Sequence, residues 1–102
     1  MEKVFQALAA KPRRDILAFL ARSDLTAGEL ADRFDISKPA LSKHLSVLDN
    51  AGLVWRERRG QFVHYGLKQG VLKQHFKRFL KQVPDAPDGP GKKKKSAKKK
   101  KP

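Results

Sequence analysis

Two helices with only two residues between them constrain this chain more than any other feature. Thr26 is followed three positions later by Glu29, a T-x-x-E pair whose hydroxyl and carboxylate each satisfy an orphan N–H at a helix start. The spacing predicts a helix over Ala27–Phe34 that buries Leu30 and Phe34. Asp35-Ile36 then leaves almost no chain before Ser37, an N-cap residue, and Pro39, which fits a first turn because its missing N–H has no partner to lose. Leu41, Leu45 and Leu48 fall at i, i+4 and i+7, one helical stripe, and Gly52 marks the stop. Short helices joined this tightly are helix-turn-helix geometry, in which the second helix enters a DNA major groove by its N-terminal end. Its outer face carries Ser37, Lys38, Ser42, Lys43, Ser46 and Asn50. Cations can reach phosphates and short polar groups can approach base edges. An ordinary solvated helix face has a similar make-up, so the flanking sequence must decide.

Upstream, Glu2–Ala10 places Val4, Phe5, Leu8 and Ala9 on one face of a short helix. Lys11-Pro12 breaks it, and Pro12 can open the next helix, Arg13–Arg22, with Ile16, Leu17 and Leu20 inside. Downstream of Gly52 the period changes. Leu53–Arg58 and Phe62–Leu67 read as strands around an Arg59-Gly60-Gln61 turn, with Val63, Tyr65 and Leu67 alternating toward one buried face. Gly66, Gly70 and the polar residues between them end this hairpin. Its tip is expected to hold Arg56, Arg58, Arg59 and Gln61, a basic wing that can reach phosphates or an adjacent narrow minor groove. A last helix, Val71–Val83, carries Leu72, Phe76, Phe79, Leu80 and Val83 at helical spacing. The expected fold is mainly α with a small β-hairpin, a winged helix-turn-helix in the order α-α-α-α-β-β-α. Phe76 and Phe79 can pack inward or against a second copy. With Val4, Phe5, Leu8, Leu72 and Leu80 they form a candidate homodimer face, and two-fold symmetry suits a DNA reader.

Charge weighs on the same side. The 102 residues carry a net charge of +14, of which +6 belongs to residues 84–102, so residues 1–83 hold +8 by themselves. A polyanionic partner follows: nucleic acid first, an anionic membrane surface second. The chain divides into a folded unit, 1–83, and a tail, 84–102, in which PDAPDGPG is a breaker-rich linker and KKKKSAKKKKP is too charged to fold. The tail reads as a non-specific DNA tether, a solubilising end, or a membrane-surface contact without a second anchor. There are no cysteines, which removes disulfides and thiolate metal sites. No apolar run approaches the roughly 20 residues of a membrane span. The N-terminus lacks a signal-peptide core, so a cytoplasmic location is expected. No glycine-rich phosphate loop, paired catalytic carboxylates or Cys/His arrangement points to an enzyme.

Three runs, VFQALAAKPRRDILAFL, LTAGELADRFDISKPALSKHLSVLDNAGLV and RRGQFVHYGL, closely resemble the ArsR-type winged-helix repressors, and among them the sporulation-delay type of autorepressor. The resemblance covers Val4 to about Val83. It implies that the fourth helix and the wing bind an operator as a homodimer, with the first and last helices as the dimer interface. Carried over, it nominates Ser37, Lys38, Ser42, Lys43 and His44 for the groove, and Arg58, Arg59 and Gln61 for the wing. His44 can donate to a phosphate or be a partly buried helix histidine. Many relatives sense metals, some through two thiols just after the Glu-Leu of the third helix; here Glu29-Leu30 is followed by Ala31, Asp32 and Arg33. Others use histidines and carboxylates on the last helix, which here holds only His75, among Lys73, Lys77 and Arg78. No metal role is therefore expected for His44, His64 or His75, and no cofactor.

The expectation is a sequence-specific, dimeric repressor of a near-palindromic double-stranded DNA operator, with any small-molecule or protein inducer left unidentified. The alternative is an architectural, largely non-specific DNA binder driven by charge and the lysine tail.

Overall fold

Among the described residues, five helices and three strands follow one another in the order α1 (Glu2–Leu8), α2 (Lys11–Leu20), β1 (Leu25–Thr26), α3 (Ala27–Ala31), α4 (Lys38–Asn50), β2 (Val54–Arg59), β3 (Phe62–Leu67) and α5 (Gln69–Gln82). The computed structural model describes residues 2–83, 85 and 88–90. The lysine run of the tail lies outside the described residues.

The helix ends are set by local chemistry. At α3 both bonds of the capping box form: Glu29 N–H donates to Thr26 Oγ1 at 3.1 Å, and Thr26 N–H donates to Glu29 Oε1 at 2.8 Å. At α4 the Ala40 N–H donates to Ser37 Oγ at 3.2 Å, with Pro39 in the first turn. Gly52 closes α4 with φ +76°, a left-handed conformation that a side chain would strain. Leu53 N–H then reaches the Leu48 carbonyl and Gly52 N–H the Asp49 carbonyl, the paired bonds of a Schellman cap. Leu48 and Leu53 are both fully buried, supplying the apolar contact that accompanies such a cap.

The end of α1 is held differently. Arg13 on α2 donates from Nε to the Ala7 carbonyl at 2.7 Å and from Nη2 to the Gln6 carbonyl at 3.0 Å. Arg14 Nη1 reaches the Leu8 carbonyl at 2.8 Å. Carbonyls left without intrahelical partners by a seven-residue helix are thus taken by two guanidinium groups one turn into the next helix. Arg33 does the same for α3, donating to the Glu29 carbonyl at 2.7 Å and lying over the Phe19 ring. Phe19 and Phe34 meet edge to face.

The core gathers buried residues from α1 to α4 and the sheet: Val4 and Ala7 of α1, Ile16, Leu17 and Leu20 of α2, Leu25 of β1, Leu30 of α3, the Leu41/Leu45/Leu48 stripe of α4, Leu53 after it, Val54 of β2 and Tyr65 of β3. The sheet is antiparallel with order β1-β3-β2.

The structure corrects several expectations. A third strand, β1, pairs Leu25 with Tyr65 and Thr26 with His64, where a plain two-stranded hairpin was expected. Helix α3 stops at Ala31; Phe34 packs from the link that follows. Gly66 does not end the hairpin but lies inside β3, buried opposite Trp55. Val4 is only 2% exposed, so it belongs to the core and has no surface to give a partner.

Candidate nucleic-acid interface

Helix α4 presents three zones. Its leucine stripe is buried. Lys43, with Pro39 and Asn50, lies on the opposite, solvent-facing side. Between the two, on the side toward the sheet, run Ser42, Ser46 and Asp49. With Leu45, Arg56 and Tyr65 they line a groove of about 290 Å³ between α4 and the wing. Ser37 caps the helix that Lys38 begins, both exposed at the α4 N-terminus, the end such helices offer to bases.

His44 falls on the other flank, half-buried toward α2. Arg13 Nη1 lies 3.3 Å from its Nδ1. A guanidinium can only donate, so Nδ1 accepts and the ring is the neutral tautomer protonated at Nε2. Partial burial, and then the charges of Arg13 and Lys43, hold its pKa below the ordinary histidine value. Of the two roles open to His44, this geometry favours the partly buried helix histidine: it links the recognition helix to the arginine that caps α1.

The wing divides by face, because successive strand residues point to opposite sides. Val54, Arg56 and Arg58 share the face of Leu67, Tyr65 and Val63, their partners in the ladder. Arg56 is therefore not a tip residue. It turns into the groove beside α4, its Nε donating to the Tyr65 hydroxyl at 3.3 Å. Arg59 lies on the outer face, where its Nε meets Glu57 Oε1 at 2.6 Å and its guanidinium stacks over Trp55. Arg58 is exposed near the end, and Gln61 sits in the two-residue loop after Gly60, which adopts φ +64°. The groove thus draws its cation from Arg56, while Arg59 belongs to the opposite side of the hairpin. Asp49 and Tyr65 were missing from the sequence-derived site. The i, i+4, i+7 spacing of Ser42, Ser46 and Asp49 was the available signal.

Away from this surface, Phe5 packs edge to face on Phe76 at 5.7 Å and on Phe79 at 5.2 Å between ring centres. Phe76 and Phe79 remain 41% exposed and Leu80 65%, an apolar strip along α5. Leu8 and Leu72 are half-buried against the core edge. His44, His64 and His75 sit on α4, β3 and α5, and among the described residues no three His, Cys, Asp or Glu side chains come together to hold a metal ion.

A helix-turn-helix with a hairpin wing beside its second helix is the winged-helix class of DNA-binding regulators. Comparison with known proteins narrows this. The family described as "Bacterial regulatory protein, arsR family" matches residues 11–55. The transcriptional repressor SdpR of Bacillus subtilis is 44% identical over 80 residues, 78% of this chain and 89% of that protein. The transcriptional activator HlyU of Vibrio cholerae is 37% identical over 70 residues, 69% of this chain and 65% of HlyU. The solved structure of an ArsR-like transcriptional regulator from Rhodococcus sp. RHA1 superposes with a TM-score of 0.74 at 32% identity, covering 79% of this chain and 74% of that one. The chain belongs to the arsR family of bacterial regulatory proteins.

Proposed function

We propose that this protein is a homodimeric transcriptional repressor that reads a near-palindromic operator with two copies of α4, each flanked by a wing. The observation that carries the reading is the groove between α4 and the wing, where Ser42, Ser46 and Asp49 stand opposite Arg56. Hydroxyls and a carboxylate are base-edge groups, the carboxylate accepting from cytosine N4, while Lys38, Lys43, Arg56 and Arg58 supply phosphate contacts. Repression follows the resemblance to SdpR; the named activator HlyU shows that family members differ in sign. The second copy covers the strip of Phe76, Phe79 and Leu80 on α5 next to Phe5, a cost in exposed apolar surface that dimerisation removes. The lysine tail acts as a salt-sensitive tether on the same DNA.

Sequencing the DNA fragments bound by the purified chain, followed by footprinting, tests this. Protection of two half-sites about one helical turn apart, ~34 Å, is the expected result. A specific-to-non-specific affinity ratio near unity with and without residues 92–102 would instead establish a charge-driven architectural binder, since specific readers prefer their sites by about 10³-fold or more. Phe79→Glu should yield a monomer in sedimentation that has lost operator binding.

A further inference from the structure

The exposed large apolar side chains among the described residues sort by location. Phe76, Phe79 and Leu80 lie together on α5 and Val83 just past its end, where the proposed second copy accounts for them. Ile36, 37% exposed, is in the link before α4. Phe62 stands apart at 56% exposure. It is the first residue of β3, paired with Arg59 directly beside the Gly60-Gln61 loop. An isolated exposed apolar residue is common and by itself means little. The position of this one is what carries weight. The hairpin is anchored at its base by buried Val54, paired with Leu67, and the remaining ladder pairs carry the other end out from the core. At that end one of the arginines expected to reach phosphates or a minor groove is turned back. Arg59 is held by Glu57 Oε1 and by the Trp55 ring, both on the base side of it along β2. The outermost side chain on that face of the wing is therefore a phenyl ring, with exposed Gln61 next to it in the loop and exposed Arg58 on the other face.

We propose that Phe62 is an apolar wedge that enters the DNA minor groove beside the major-groove site and packs against the sugars and base edges there. The proposal rests on the DNA-binding reading above. Apolar side chains inserted from the minor groove partly unstack a base step, and pyrimidine–purine steps yield most readily. Arg58 draws the anionic groove to the wing, and Phe62 supplies a contact that releases no counterions.

The test uses the full chain on a duplex recovered by sequencing its bound fragments, with 2-aminopurine substituted in turn along the flanks of the protected site. Binding should brighten 2-aminopurine at one flanking step on each side, reporting unstacking. Phe62→Ala should bind about ten-fold more weakly, lose that signal, and keep the slope of log affinity against log salt. Phe62→Leu should keep most of the affinity. Arg58→Ala should lower the salt slope by about one. Because Phe62 is more than half exposed, both Phe62 variants should melt with the unsubstituted chain. If Phe62→Ala binds and brightens like the unsubstituted chain on a duplex that chain prefers, the wedge is wrong and the DNA-binding reading stands. Weakening with the fluorescence change intact assigns Phe62 to the shape of the tip and also overturns the wedge. A full chain that prefers no duplex sinks the DNA-binding reading itself, and the wedge with it.

Discussion

Gly66→Ala tests how the wing is held to the body of the molecule. Gly66 faces Trp55 across the β2–β3 ladder, and the indole lies flat where a side chain would otherwise stand. A Cβ built on Gly66 falls well inside van der Waals contact of Trp55 Cε2, Cζ2 and Nε1. The whole indole would have to move, since no flexible end offers relief. Overpacking of this kind costs about 1–3 kcal/mol. Replacing a strand glycine by alanine returns roughly 0.5–1 kcal/mol through lost unfolded-state entropy. The clash wins, and a net loss of about 1–2 kcal/mol is expected, lowering Tm by roughly 4–16 °C for a domain of this size. The sign should reverse once the ring is gone: in a Trp55→Ala background, Gly66→Ala should be neutral or stabilising by up to about 1 kcal/mol. Urea unfolding followed by far-UV circular dichroism measures all four corners of this cycle. Trp55 is the single tryptophan, so its emission should also shift in Gly66→Ala as the indole leaves the strand. An equal penalty in both backgrounds would refute the argument, because the cost would then lie in the backbone and not in the ring.

Other expectations follow from the same geometry. Arg13→Met removes two charge-assisted bonds to the end of α1 and should cost about 2 kcal/mol in urea unfolding, with α1 amides losing most hydrogen-exchange protection. Arg56→Ala should weaken operator binding and reduce the salt slope by about one, while Arg59→Ala, whose guanidinium is engaged with Glu57 and Trp55, should change binding far less; a gel-shift salt series separates them. His44 is held neutral in the fold, so the unfolded chain protonates first as pH drops below about 6.5. Stability should therefore fall from that pH down to the lower folded-state value and level off beneath it, and His44→Gln should remove this component from unfolding curves taken between pH 7 and the acid limb.

Much of the fold was legible in the chain because the signals are local. Thr26-x-x-Glu29, Ser37 and Gly52 act within one helical turn, and each forms the bonds its spacing implies. The leucine stripe of α4 and the alternation of β3 likewise depend only on helix and strand periods. Strand β1 was not legible. Two residues carry no period, and Leu25 and Thr26 become a strand only because Tyr65 and His64 arrive beside them from far along the chain.

The same limit applies to the charges. Composition counts Arg13, Arg14 and Arg33 with the DNA-binding cations, whereas the fold uses them on helix-end carbonyls. From residue type alone, Arg56 and Arg59 are equivalent; ladder register sends one into the groove and the other onto the outer face. The sequence by itself determined the helices and the wing hairpin and that the chain is cationic, since caps, turns and periods are short-range. Only the tertiary structure decided which cations are left for a partner, because that depends on which carbonyls, rings and carboxylates distant segments bring within reach.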